Sequence, residues 1–260
     1  MPLTNLQDRL LSRLARSTNL DTVSTQFLLS LTSARTISVL ALCRHNLSGA
    51  ATWRIRAYSD TGLTDLLYDS GSVNVWEAMY DQDQLEWQDD NFWSGQPRAE
   101  DFEGHYWNAI HVLPRIVSAR FWKVEMVDAS NPDGFVEVGR LFLSEAWVPT
   151  YNMSYGASIV YTSRTEVEEA WDGTEYFDVK APYRTARFSL ENISHEEAMF
   201  RAFDIQRVAS IHKEVLFVWD PDDTKHLIRR SFLGRLQELS PLEQPYYDAH
   251  QTAFTVKELL

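Results

Sequence analysis

Between residues 77 and 107 the chain interleaves aromatic rings with carboxylates. Tyr80, Trp87, Phe92, Trp93, Tyr106 and Trp107 stand among Asp81, Asp83, Glu86, Asp89, Asp90, Glu100, Asp101 and Glu103. Aromatic faces stack on sugars and anchor protein partners. Two carboxylates held ~5–9 Å apart can hydrolyse a glycosidic bond. Asp89/Asp90 and Asp101/Glu103 are the acid pairs placed where a sugar would stack. With 37 Asp and Glu in 260 residues, however, neighbouring acids are expected without any chemical role. Spacing along a loop also sets no distance across a cleft. The stretch therefore reads as a long acidic, aromatic loop, and loops of that length are uncommon without a task. It serves either as a contact surface or as an irregular cover over a β core. The residues selected as contact candidates are Trp76, Tyr80, Trp87, Phe92, Trp93 and Trp107.

Other reactive types are scattered. The histidines His45, His105, His111, His195, His212, His226 and His250 form no zinc-ligand pair of the His-Glu-x-x-His kind. No nucleophile elbow, phosphate-binding loop or dinucleotide fingerprint occurs. Asp220-Pro221-Asp222-Asp223 and Asn131-Pro132-Asp133-Gly134 resemble calcium-ligand clusters superficially but lack the distal Glu of the helix–loop–helix motif; both read as solvated turns. In Arg44-His45-Asn46-Leu47-Ser48 the polar side chains suit local bonds to backbone groups. The expectation is a protein without catalytic residues, metal or cofactor.

The bulk numbers agree with that. Hydrophobic residues make up 44% and charged residues 23%, enough for packed cores. The net charge of −13 opposes a sequence-independent grip on nucleic acid or an anionic membrane. The one cysteine, Cys43, sits in an apolar run and reads as a core residue. No secretion signal is legible in the first twenty residues, and no apolar run reaches the ~20 residues of a membrane span.

The elements read as mainly β. Strands are predicted over 26–31, 36–43, 51–58, 66–68, 73–76, 118–127 and 135–143, with Gly139 at a bulge or a close approach. Residues 5–19 allow a short helix or an extended arm. In the second half, strands are predicted over 157–163, 176–179, 183–190, 214–219, 228–236 and 251–257, with 166–173 as an acidic connection. Ser194 and Glu197 form a capping box for a helix running to about Ala209. Met199, Phe200, Phe203 and Val208 are expected to supply its buried stripe.

Several segments, taken in order, resemble tail proteins of siphophages: Ser38-Val39-Leu40-Ala41-Leu42, Arg44-His45-Asn46-Leu47, Ala51-Thr52-Trp53-Arg54-Ile55-Arg56, Asp69-Ser70-Gly71, and Gly134 to Leu143 (GFVEVGRLFL). The same order is similar to the galactose-binding-like, discoidin-type jelly-roll, whose late strand carries a comparable Val-Gly-Arg-Leu. This resemblance spans residues 4–152 and favours the extended arm for 5–19. Residues 184–190 and 194–203 resemble the ring-forming domain of tail-tube and distal-tail proteins.

The resemblance implies two domains: a jelly-roll β-sandwich over 1–152 and a smaller α+β ring-forming domain over 153–260 with one main helix. It implies a structural, non-enzymatic subunit of a phage tail tip or baseplate, assembled in the host cytoplasm and resident in the virion. Its partners would be copies of itself in a ring, a hexamer or a trimer nearer the tip, together with tube, tape-measure and hub proteins. An acidic lumen would ease DNA passage. The alternative is a carbohydrate-binding receptor module of the tail.

Overall fold

The computed structural model describes residues 2–98, 101 and 107–260. The chain forms two compact units. The first comprises 1–146 with 220–229, and the second 147–219 with 230–260. The division expected at 152 thus falls at 146, and residues 220–229 rejoin the first unit.

In the first unit a 3-10 turn, Leu3–Gln7, precedes β1 (Ala15–Arg16). Residues 5–19 thus combine a short helical turn with an extended arm, fixed by burial of Leu6, Leu11 and Ala15. Then follow β2 (Gln26–His45), β3 (Thr52–Tyr58), β4 (Leu66–Asp69), β5 (Val73–Asn74), β6 (Asn108–Val127) and β7 (Glu137–Ser144). All pair antiparallel, in the order β1-β7-β2-β6-β3-β4, with β5 also on β3.

Two twenty-residue strands, β2 and β6, run through the sheet. The two strands predicted over 26–31 and 36–43 are one, because the break between them is a bulge. Register slips between Ser30 and Arg35, where β2 holds the extra residues, and between Ile37 and Val39, where β6 does. The β6 excess includes Pro114, which cannot donate to a ladder and belongs at such a bulge.

These bulges fold the sheet over itself. Trp53 pairs with Met126, yet its ring lies 6.1 Å from that of His111. On a straight strand, positions 111 and 126 would stand about 50 Å apart. The two layers so formed share one core, with Leu40, Leu42, Trp53, Ile55, Trp122, Val124 and Val138 all buried. Val39 to Cys43 is buried on both faces, as its unbroken apolar run predicts. β3 alternates as expected, except that Tyr58 is also buried. A Cβ on Gly139 would sit 3.1 Å from the Leu11 carbonyl oxygen, so the close approach is real.

The polar turns are tied to one another. Asn46 Nδ2 donates to Asp133 (2.8 Å) and to the Phe135 carbonyl (3.0 Å), and its Oδ1 accepts from the Glu137 amide (2.7 Å). Buried Asp128 accepts from the Ser48 amide (2.8 Å), the Ser48 hydroxyl and Asn131 Nδ2 (2.9 Å). The side chains of 44–48 and 128–134 therefore act as a structural knot.

His45 belongs to this knot. Its Nδ1 accepts the Leu47 amide at 3.2 Å, its ring lies 5.3 Å from Trp76, and Nε2 is buried without a partner. Burial lowers its pKa from 6.5 to about 4, against a smaller upward pull from Asp128. Burial lowers that of His111 too. Between pH 6.5 and 4 the unfolded chain binds a proton at His45 that the folded chain does not. Stability is present above pH 6.5 and falls by about 3 kcal/mol as pH drops to 4. Urea unfolding at stepped pH should show this loss, and His45→Asn should flatten the part of the slope above pH 5.

The second unit contains β8 (Ser158–Thr162), β9 (Glu166–Glu169), β10 (Glu175–Asp178), β11 (Tyr183–Ile193), β12 (Val215–Phe217), β13 (Phe232–Leu236), β14 (Glu243–Tyr246) and β15 (Ala249–Glu258). Its main sheet is ordered β12-β13-β15-β11-β8, with β14 on β15, all antiparallel. The acidic connection predicted at 166–173 is instead half of a separate β9–β10 hairpin. The strand predicted from 228 opens as a helical turn, Leu227–Arg230, before β13.

Helix α1 (residues 195–209) has a π-helical middle, Ala198–Phe203. Ser194 caps it, accepting the Glu197 amide at 3.3 Å. The reciprocal half of the capping box is not made, because the Glu197 carboxylate accepts from Trp147 Nε1 (2.9 Å) and the Thr150 amide (3.1 Å). The expected buried stripe is overturned. Met199, Phe200, Phe203 and Val208 are exposed, whereas Ala198, Ala202 and Ala209 are buried, with Ile205 packed against the same core. Alanines admit the helix close to the sheet core of Phe217, Phe232, Phe254 and Val256, and the large side chains are left outside.

Candidate functional site

The aromatic loop of the first unit is a built structure. The Met79 and Tyr80 amides both donate to the Gly95 carbonyl, at 2.8 and 3.0 Å. Gly95 has φ +62, and a Cβ there would lie 2.6 Å from the Tyr80 carbonyl oxygen, so no other residue fits without a shift. Asn91 closes the tip, its carbonyl accepting the Gly95 amide at 2.7 Å and its Nδ2 donating to the Gln96 carbonyl at 2.6 Å. Arg98 pairs with Asp89 at 2.5 Å. The Tyr80 hydroxyl donates to both oxygens of Asp101 (2.7 and 2.8 Å), and burial followed by Asp101 raises the phenol's pKa. Lys225, from the returning segment 220–229, pairs with Asp81.

The six contact candidates divide. Trp76 and Trp107 are core residues, 2% and 8% exposed, packed edge to face at 6.1 Å; Trp76 Nε1 donates to the Leu47 carbonyl at 3.2 Å. They are withdrawn as surface anchors, because their rings are consumed in fastening the loop's ends to the core. Tyr80 and Phe92 are half-buried and support the loop. Trp87 and Trp93 point outward, 76% and 85% exposed, with Phe92 packed edge to face on Trp93 at 5.2 Å. Glu100, Glu103, His105 and Tyr106 lie outside the described residues. Of the acids in the two candidate pairs, Asp89 is taken by Arg98 and Asp101 by Tyr80. Among the described residues, no group of three or more His, Cys, Asp or Glu side chains converges as a metal site.

The second unit presents a surface that sequence reading missed. Along α1 the apolar Phe200, Phe203, Val208 and Ile211 are exposed beside Arg201, Arg207 and Lys213. The β9–β10 hairpin is exposed at every residue of both strands. Trp171 stands fully exposed at its turn, and Val167, Tyr176 and Phe177 are exposed on its strands. Strand β8 forms an open edge of the main sheet and exposes Val160 and Tyr161. The signal available in sequence was the spacing Ala198, Ala202, Ile205, Ala209, an inward stripe of small residues that turns the phenylalanines out.

No protein-family model matches the chain, and no curated protein does. Among solved structures, the carbohydrate-binding module CBM32-1 from a family 31 glycoside hydrolase of Clostridium perfringens is similar at 17% identity, over 53% of this chain and 80% of that one, with a TM-score of 0.33. That similarity is too slight to bear on function. The chain is a mainly β protein of antiparallel sheets.

Proposed function

We propose that this protein is a structural, non-enzymatic subunit of a bacteriophage tail tip or baseplate, related to distal-tail proteins. In this reading the first unit is a jelly-roll-like β-sandwich of the galactose-binding type. The second builds a ring with copies of itself, a hexamer or, nearer the tip, a trimer. The observation that carries the reading is the apolar surface left open on the second unit, on α1, on the β9–β10 hairpin and on the β8 edge. Exposed apolar patches mark association sites, and unpaired strand edges invite pairing. The sequence resemblance over 184–190 and 194–203 supplies the tail assignment. The tube, tape-measure and hub proteins are the neighbours such a ring would join.

Native mass spectrometry of the purified chain tests this. A single closed oligomer of six or three copies is expected. A monomer at every concentration up to tens of micromolar would contradict it.

A second reading is favoured by one observation, the outward Trp87 and Trp93 on a rigid loop. In it the first unit is a carbohydrate-binding receptor module. Stacking on exposed indole predicts glycan-array binding that Trp87→Ala or Trp93→Ala abolishes while the fold is kept. Absence of binding to any glycan removes this reading and leaves the ring untouched.

A further inference from the structure

The β9–β10 hairpin is an unlikely thing to find alone in water. A two-stranded ribbon is at best marginally stable without a surface to pack on, and every residue of both strands of this one is exposed. Residues 166–178 hold six acids, Glu166, Glu168, Glu169, Asp172, Glu175 and Asp178, and no base. Two of its four cross-strand pairs set like charges directly opposite, Glu166 with Asp178 and Glu169 with Glu175. Such pairs are destabilising. Lys180 answers the first, bridging Glu166 at 2.7 Å and Asp178 at 3.1 Å. Among the described residues no cation answers the second. On the same face as Glu169 and Glu175 lie Val167 and Phe177, paired with each other and both more than half exposed. That face is apolar with a concentrated negative charge, and its complement is an apolar face bearing cations.

The same unit carries such a face. On α1 and the turn after it, Phe200, Phe203 and Ile211 are exposed beside Arg207 and Lys213. Arg207 has Asp204 as a local partner, with both side chains largely open to water. Hairpin and helix face are both exposed in one copy, so a copy does not satisfy itself.

We propose that the acidic hairpin of one copy docks on the Phe200–Phe203–Ile211 face of α1 in the next, its Glu169–Glu175 pair meeting Arg207 and Lys213. The contact joins two different patches, so it is head-to-tail, the kind of interface that closes into a ring when the rotation allows. It rests on the ring reading and names the surfaces that make the ring.

Charge reversal tests it on the full chain. Sedimentation velocity would compare wild type, the pair Glu169→Lys/Glu175→Lys, the pair Arg207→Glu/Lys213→Glu, and the four changes combined. Circular dichroism and thermal melting confirm that each variant is folded. Each pair alone should weaken assembly by about tenfold or more in Kd, and the combination should restore it. Wild-type assembly should also weaken as salt rises. If the two pairs leave assembly unchanged, or weaken it without rescue when combined, the docking is overturned while the ring reading stands. A wild type that never associates overturns both. As a control independent of charge, Phe200→Ser/Phe203→Ser should abolish assembly; an undiminished oligomer overturns the docking alone.

Discussion

Replacing Glu258 by Ala should destabilise the second unit by about 3–5 kcal/mol, a large share of the about 5–15 kcal/mol that holds an ordinary domain folded. Arg184 and Glu258 are 5% and 7% exposed and form a charge pair in the sheet interior. Arg184 Nε lies 3.0 Å from both carboxylate oxygens, Nη2 donates to Oε1, and the Arg184 amide donates to Oε2 at 2.7 Å. The guanidinium also lies 5.1 Å from the centre of the Phe232 ring. One carboxylate thus ties β11 to the end of β15 beside β13. Its removal takes the facing carboxylate from a buried cation and the acceptor from the Arg184 amide. The double replacement Arg184→Met/Glu258→Leu should cost far less, because both charges leave together. Urea unfolding checks this. Equal losses in the single and double variants would show that packing, rather than charge balance, holds this corner.

The second large effect lies in the first unit. Trp122→Ala should cost about 3–5 kcal/mol. Trp122 is wholly buried in β6, opposite Leu29 of β2 and Ala57 of β3. It therefore stands at the centre of the folded sheet, where its removal opens a large internal cavity. Its Nε1 is buried without a hydrogen-bond partner. Trp122→Phe keeps most of the apolar volume and removes that unpaired donor, so it should cost clearly less than the alanine variant. A phenylalanine variant as unstable as the alanine one would mean that the indole donor is satisfied in solution.

Much of the first unit was legible because β patterns declare themselves locally. An unbroken apolar run gave the doubly buried Val39–Cys43, and alternation gave β3. Asp-Gly at 133–134 gave a turn, confirmed by Gly134 at φ +74. What sequence could not show was curvature. The strand prediction stopped at Leu31 and began again at Thr36, because a bulge interrupts periodicity without ending a strand. The six candidate aromatics also looked alike. Only their neighbours separated them: Trp76 and Trp107 adjoin strands β5 and β6 and are drawn into the core, whereas Trp87 and Trp93 lie mid-loop.

In the second unit one departure lies on α1, where large apolar residues do not turn inward. On α1 the alanines do so instead, since small residues let the helix approach the aromatic core. Of the hairpin at 166–178, the second strand was predicted over 176–179, but its partner over 166–169 was hidden because its Glu-rich residues lack any buried face to set a period. Both departures from the usual pattern fall on the surfaces assigned to assembly, where a partner rather than the core is expected to supply the missing apolar contact.

The central claim is that the second unit closes copies of this chain into a ring. Negative-stain electron microscopy of the purified protein tests it most directly. Class averages with a central channel and six-fold or three-fold symmetry are the predicted result. A field of single, unassociated particles at a concentration where native mass spectrometry sees intact chain would contradict it.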